Sequence, residues 1–131
     1  MALSDMPLVA FLTTRDAARS RAFYESTLGL RFIEDTPFAL VLDAAGTLLR
    51  IQKVETFAPH PFTSLGWKVP DIAVEVAGLR SKGVRCERYE SLEQNEDGVW
   101  TTPDGSKVAW FKDPDGNTLS LTEYVYATPI A

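Results

Sequence analysis

The segment Phe111-Lys112-Asp113-Pro114-Asp115-Gly116-Asn117-Thr118-Leu119-Ser120-Leu121-Thr122-Glu123-Tyr124 decides the fold of this chain. Pro114 fixes φ where a tight reversal needs it, and Gly116 supplies the positive φ that closes a hairpin. The alternating runs Val108 to Phe111 and Thr118 to Thr122 predict the two strands that enter and leave the turn. A fainter copy lies seventy residues earlier, at Asp43-Ala44-Ala45-Gly46-Thr47-Leu48-Leu49-Arg50-Ile51-Gln52. A repeated hairpin predicts a repeated module, with a binding pocket expected between the copies.

Working outward, each hairpin closes the same series of elements. Leu8 to Thr14 predicts a strand, Asp16 an N-cap, Ala17 to Glu25 a helix, and Gly29 its C-cap. Three strands follow, at Leu30 to Glu34, Phe38 to Leu42 and Leu48 to Lys53. The proline-flanked His60 marks residues 55–62 as a linker. The series then restarts: a strand at Ser64 to Val69, Asp71 as N-cap, a helix from Ile72 to Lys82 and Gly83 as its stop. Strands are predicted at Val84 to Tyr89, Val99 to Thr102, Val108 to Lys112 and Thr118 to Thr122, with Glu90 to Gly98 as an exposed loop. The expectation is an α+β chain forming one domain over 1–131. It is built from two similar βαβββ modules, about 7–54 and about 63–125.

Composition narrows the function. Eighteen acidic against thirteen basic residues give a net charge of -5, which argues against nucleic acid or an anionic membrane as partner. No apolar run reaches membrane-spanning length and no signal-peptide pattern opens the chain. The single cysteine, Cys86, permits no internal disulfide, so a cytoplasmic location is expected. Gly-rich phosphate loops, serine elbows and CxxC spacings are absent.

Thr14-Arg15-Asp16 leading to Ala22-Phe23-Tyr24, then Leu28-Gly29-Leu30, and the segment from Phe111 to Leu119 together resemble the vicinal oxygen chelate superfamily. This is the glyoxalase, bleomycin-resistance and extradiol dioxygenase group, and the resemblance spans roughly residues 7 to 125. It implies that the two modules curl into a cupped mixed sheet with a ligand cleft on its concave face and, commonly, a homodimer. It also implies four metal-ligand positions, which fall on Val9, Arg50, Ser64 and Ser120 in this sequence. None is a carboxylate, imidazole or thiolate, so no metal and no cofactor is expected.

Strand parity assigns the two faces. Leu8, Ala10, Leu12, Leu49, Ile51, Leu65, Trp67, Val69, Ala109, Phe111, Leu119 and Leu121 are expected in the core. The opposite parity mixes aromatic and polar side chains, and gives the candidate ligand-binding residues Val9, Phe11, Thr13, Arg50, Gln52, Ser64, Val108, Trp110 and Ser120, to which Trp100, at the end of the polar loop, is added as a residue that could close over the cleft. Lys68 and Lys112 share that parity. His60 reads as a loop histidine, Glu123 and the Asp113/Asp115 pair as structural, and Cys86 as a small strand residue. The expected function is metal-independent binding or sequestration of an aromatic, anionic small molecule. The alternative is a glyoxalase- or dioxygenase-type lyase or oxidoreductase holding a divalent metal through unorthodox ligands; turnover, if any, would be of the glyoxalase lyase or isomerase kind.

Overall fold

The computed structural model describes residues 2–125, and the chain divides into two compact units, Met1–Pro59 and His60–Ala131. Each unit holds one four-stranded mixed sheet and one α-helix, so the α+β class and the two βαβββ modules read from the sequence are present.

In the first unit a short 3-10 turn, Leu3–Asp5, precedes β1 (Val9–Thr14). The helix α1 (Ala17–Arg21) starts where expected: the Asp16 carboxylate accepts the backbone N–H of Arg19 at 3.1 Å, and Thr14 Oγ1 accepts that of Asp16 at 3.1 Å. Beyond Arg21 the backbone widens into a π-helix, Ala22–Thr27, with Leu28 N–H reaching back to the Phe23 carbonyl at 2.9 Å. Tyr24 within it is fully buried. Gly29 at φ 78° lets the chain leave for β2 (Arg31–Asp35), β3 (Ala39–Ala44) and β4 (Thr47–Lys53). The sheet order is β1-β4-β3-β2, with β1 parallel to β4 and the other pairs antiparallel. Ala45 and Gly46 join β3 to β4 with φ of 49° and 94°, the double positive φ of a type I′ turn.

The second unit repeats this order with β5 (Thr63–Lys68), α2 (Ile72–Ser81), β6 (Trp100–Thr101), β7 (Lys107–Lys112) and β8 (Thr118–Glu123), arranged β5-β8-β7-β6. Two carboxylates from different places start α2. Asp71 accepts the Val74 N–H at 3.3 Å, and Glu123, at the end of β8, accepts the Ile72 N–H at 2.8 Å. Glu123 is thereby structural, as expected. Ile72, Val76 and Leu79 of α2 are buried, as are Ala109, Phe111, Leu119 and Leu121 on one face of β7 and β8. These residues form the core of the unit, and Trp67 stacks on Phe111 with ring centroids 6.4 Å apart.

The β7–β8 turn is built around one carboxylate. Asp113 Oδ1 accepts the backbone N–H groups of Asp115 and Asn117, each at 2.9 Å, while Oδ2 accepts the Asn117 side-chain amide at 2.9 Å. Gly116 at φ 91° completes the reversal. Asp113, Asp115 and Asn117 are all buried.

Three expectations are corrected. Val84 to Tyr89 forms no strand. Its only ladder-like bond runs from Glu87 N–H to the Trp110 carbonyl, at 2.7 Å. The Gln94 side chain takes over instead, accepting from Tyr89 N–H at 2.7 Å and donating to the carbonyls of Glu87 at 2.9 Å and Gly98 at 2.7 Å. Without that strand the second unit is a simple βαβββ. Leu8 lies outside β1 and is 76 % exposed, because pairing with β4 begins only at Val9. Leu65, Trp67 and Val69 are half-buried rather than fully enclosed, since β5 is an edge strand.

Asp113→Ala removes an acceptor of three buried hydrogen bonds and strands their donors. The expected loss is roughly 2–4 kcal/mol, the range of a broken buried network. A denaturant titration that left the midpoint of Asp113→Ala unchanged would refute the turn's role.

Candidate functional site

The opposite face of the second sheet carries an aromatic cluster. Cross-strand pairs Trp100↔Val108, Val108↔Thr122 and Trp110↔Ser120 place these five side chains on one side of β6, β7 and β8. Trp100 and Trp110 are diagonal neighbours and stack, with centroids 6.2 Å apart and planes at 29°. Tyr89 from the preceding loop meets Trp110 edge-on, at 5.5 Å and 87°. The indole N–H of Trp110 donates to Thr63 Oγ1 at 3.1 Å. Its ring is thus fixed by a bond on one side and by two aromatic neighbours elsewhere, yet both indoles remain half-buried and not enclosed. A shallow, open hollow of about 470 Å³ lies beside Val108 and Thr122, bounded by Thr102, Ser106 and Tyr124, and neither Trp100 nor Trp110 lines it.

Strand β5 meets this face through a register shift between Thr63 and Leu65. Ser64 occupies the irregularity and is exposed, while Gly66 lies opposite Ser120. A Cβ on Gly66 would come within 2.5 Å of Ser120 Oγ, so the absence of a side chain there makes room for the hydroxyl. Lys68, paired with Thr122, and Lys112, paired with Thr118, share the face and are exposed.

The first unit presents its own mixed face. Phe11 pairs with Arg50, Thr13 with Gln52, and Val9 with Leu48. Phe11 is 54 % exposed, whereas Arg50 is half-buried between Phe11 on β1 and Val41 on β3. Among the described residues Arg50 has no hydrogen-bond or ion-pair partner. By contrast Arg21 is committed twice, to Glu25 at 3.0 Å and over the Phe32 ring at 3.6 Å from its centroid. Lys53 is paired with Asp35.

Burial pushes the Tyr89 phenol above its ordinary value, and the Glu87 carboxylate nearby pushes it further. Burial likewise raises the Cys86 thiol, partly countered by the positive charge of Arg80. Asp104 is held below the usual carboxylate range by hydrogen bonds from Thr102 and Ser106. His60 stacks in parallel on Phe62, centroids 4.8 Å apart, and both are exposed.

The four positions at which the resemblance implies metal ligands do not offer the donors a divalent ion needs. Val9 has no donor atom, Arg50 is cationic, and Ser64 and Ser120 offer only neutral hydroxyls. Among the described residues no three His, Cys, Asp or Glu side chains cluster to replace them.

Sequence parity names Val108, Trp110 and Ser120, and the end of the polar loop names Trp100; the structure places these four on one face. Parity does not point to Tyr89 or Thr63. Tyr89 sits in a segment that reads as a strand, and Thr63 sits one residue before the expected start of β5. The signal for Thr63 was a hydroxyl within reach of an indole that needs an acceptor.

The glyoxalase/bleomycin resistance protein/dioxygenase superfamily model matches residues 7–121. The chain belongs to this superfamily. Among solved structures, the chain is similar to TnmS3, an antibiotic binding protein from Streptomyces sp. CB03234, at 25% identity and TM-score 0.70, covering 94% of this chain and 98% of that one. A superfamily member from Sphaerobacter thermophilus DSM 20745 shares the fold at 22% identity and TM-score 0.71, covering 90% and 96%. A lactoylglutathione lyase from Agrobacterium tumefaciens does so at 17% identity and TM-score 0.69, covering 88% and 91%. A comparison with curated proteins returned no match. No helix among the described residues is long and apolar enough to cross a membrane.

The raised Tyr89 phenol gives a pH signature. A raised folded-state value means its contribution to stability is complete below the ordinary tyrosine value of 10.0 and is lost as pH rises through the folded-state value. Spectrophotometric titration should therefore show one tyrosine ionising late, absent from Tyr89→Phe. Identical curves for the two proteins would contradict it.

Proposed function

We propose that this superfamily member binds a small planar aromatic molecule bearing a carboxylate or phenolate, without a metal, on the Trp110 face of its second unit. The observation that carries the reading is the immobilised Trp110 indole, hydrogen-bonded to Thr63 and flanked by Trp100 and Tyr89. A fixed aromatic platform loses little conformational entropy when a flat ligand stacks on it, so it favours binding over a mobile side chain. Lys112, two residues from Trp110 on the same face, and Lys68 supply positive charge for an anionic substituent. Val108 and Ser120 complete the surface, one apolar and one hydrogen-bonding. The similarity to an antibiotic binding protein supports binding rather than turnover.

On the first unit, Val9, Phe11, Thr13, Arg50 and Gln52 form a second candidate contact surface. Its half-buried, unpartnered guanidinium is suited to an anionic group. The exposed Ser64 is the candidate hydroxyl contact at the start of β5.

Titrating a panel of aromatic acids, quinones and aromatic antibiotics should quench part of the tryptophan emission saturably. Trp110→Phe should abolish most of that quench. Arg50→Ala tests the first unit's surface on its own: an anionic ligand held there should bind more weakly by roughly 2–4 kcal/mol, as when one partner of a close charge pair is truncated. No saturable quench and no thermal shift across the panel would end the aromatic reading.

Metal independence has its own check. Protein expressed with added zinc, nickel, manganese and iron should contain no stoichiometric metal by elemental analysis. About one tightly held ion per chain would instead favour a metalloenzyme with unorthodox ligands. We also propose a homodimer, because the sheets end in the edge strands β1, β2 and β5, whose burial is favourable. Light scattering should give twice the chain mass at micromolar concentration, and the mass of one chain would contradict it.

A further inference from the structure

A second pocket lies elsewhere in the second unit, where the end of α2 meets the loop that follows it. It encloses about 370 Å³ and is lined by three arginines, Arg80, Arg85 and Arg88. Two of them are already held in place. Arg80 is paired with Asp97, and Arg88 donates to the carbonyls of Asn95 at 2.9 Å and of Gln94 and Glu96 at 3.4 Å. A guanidinium has five N–H donors, so both retain unspent ones in a fixed orientation. Arg85 has no hydrogen-bond or ion-pair partner among the described residues. With Asp97 and Glu96 as the carboxylates on the wall, three positive charges face two negative ones. Glu87 adjoins the pocket as well and acts on Cys86, so Arg85 is the cation left uncommitted.

The remaining wall is apolar. Val76 is buried and Val84 half-buried. Cys86 is half-buried, and burial raises its thiol above the ordinary value. One uncommitted guanidinium, that of Arg85, matches a monoanion, and Glu96 and Glu87 disfavour a second negative charge. The volume and the apolar wall require a hydrocarbon body behind the anionic head.

We propose that this pocket binds a small organic monocarboxylate, its carboxylate on the Arg85 guanidinium and its hydrocarbon body against Val76, Val84 and Cys86. The site is separate from the Trp110 face and does not depend on the function proposed for it.

The test is a titration of the isotope-labelled full chain with 3-methylbutanoate, followed by amide NMR. Saturable shifts are expected at the amides of Arg85 and Cys86, while the Trp110 indole N–H stays unmoved. Arg85→Ala should weaken the response about tenfold, the effect of losing one charge-assisted contact. Because Arg85 is exposed and unpartnered, this variant keeps the fold. Trp110→Phe should leave the response as it is in the unsubstituted chain. The proposal is overturned if no saturable shift occurs at these amides or if Arg85→Ala binds as well as the original. It is equally overturned if inorganic phosphate binds as tightly as the carboxylate, since the hydrocarbon body would then contribute nothing.

Discussion

The Asp113 carboxylate is the point on which the second unit turns. By taking three hydrogen bonds inside four residues, it sets where β7 stops and where β8 begins. That fixes the pairing of Trp110 with Ser120 and of Phe111 with Leu119. In an antiparallel pair a slip of one residue would exchange the faces, sending Trp110 toward α2 and Phe111 into solvent. The same register brings Glu123 to the first turn of α2, where it satisfies the Ile72 N–H. Sheet, helix start and aromatic face therefore share one local determinant.

What was legible in the sequence is what local chemistry dictates. Asp16 and Asp71 declare helix starts because a short carboxylate satisfies free N–H groups there. Gly29 and Gly83 declare helix ends because both hold positive φ. Strand parity separated Phe111 from Trp110 correctly, since a period of two admits no other arrangement once the hairpin is set. The misreading of Val84 to Tyr89 has a different cause. Its alternation is genuine, but Gln94 supplies from its side chain the bonds that a neighbouring strand would have given, and Arg88 ties down the loop carbonyls. Such substitution depends on residues meeting across a turn, which periodicity does not encode. The widening of α1 into a π-helix and the irregularity in β5 are equally invisible to a pattern of apolar positions. As a result Tyr89 and Thr63, the two groups that fix Trp110, escaped notice although Trp110 itself did not.

The two modules reach the same topology with different chemistry. The β3–β4 connection relies on Ala45 and Gly46 in positive φ, and Ala45 is held there at a conformational cost of about 1–2 kcal/mol relative to glycine. The β7–β8 connection places its one positive φ at Gly116 and draws its stability from a side-chain network. One turn is tight and strained, the other longer and bonded. Superfamily membership therefore constrains the order of elements more than the means of making each one.

The Trp100–Trp110 pair has a consequence for optical spectroscopy. Two indoles at 6.2 Å with planes at 29° lie close enough for their excited states to mix. Their far-ultraviolet transitions then split into components of opposite rotational sign, and the circular dichroism of the protein carries a couplet that neither backbone nor isolated tryptophan produces. The sign and size of that couplet follow the angle between the rings. The chain thus contains its own goniometer on the β6–β7–β8 face, and any wedge inserted between the indoles would be written in the spectrum as a change in the sign or size of the couplet.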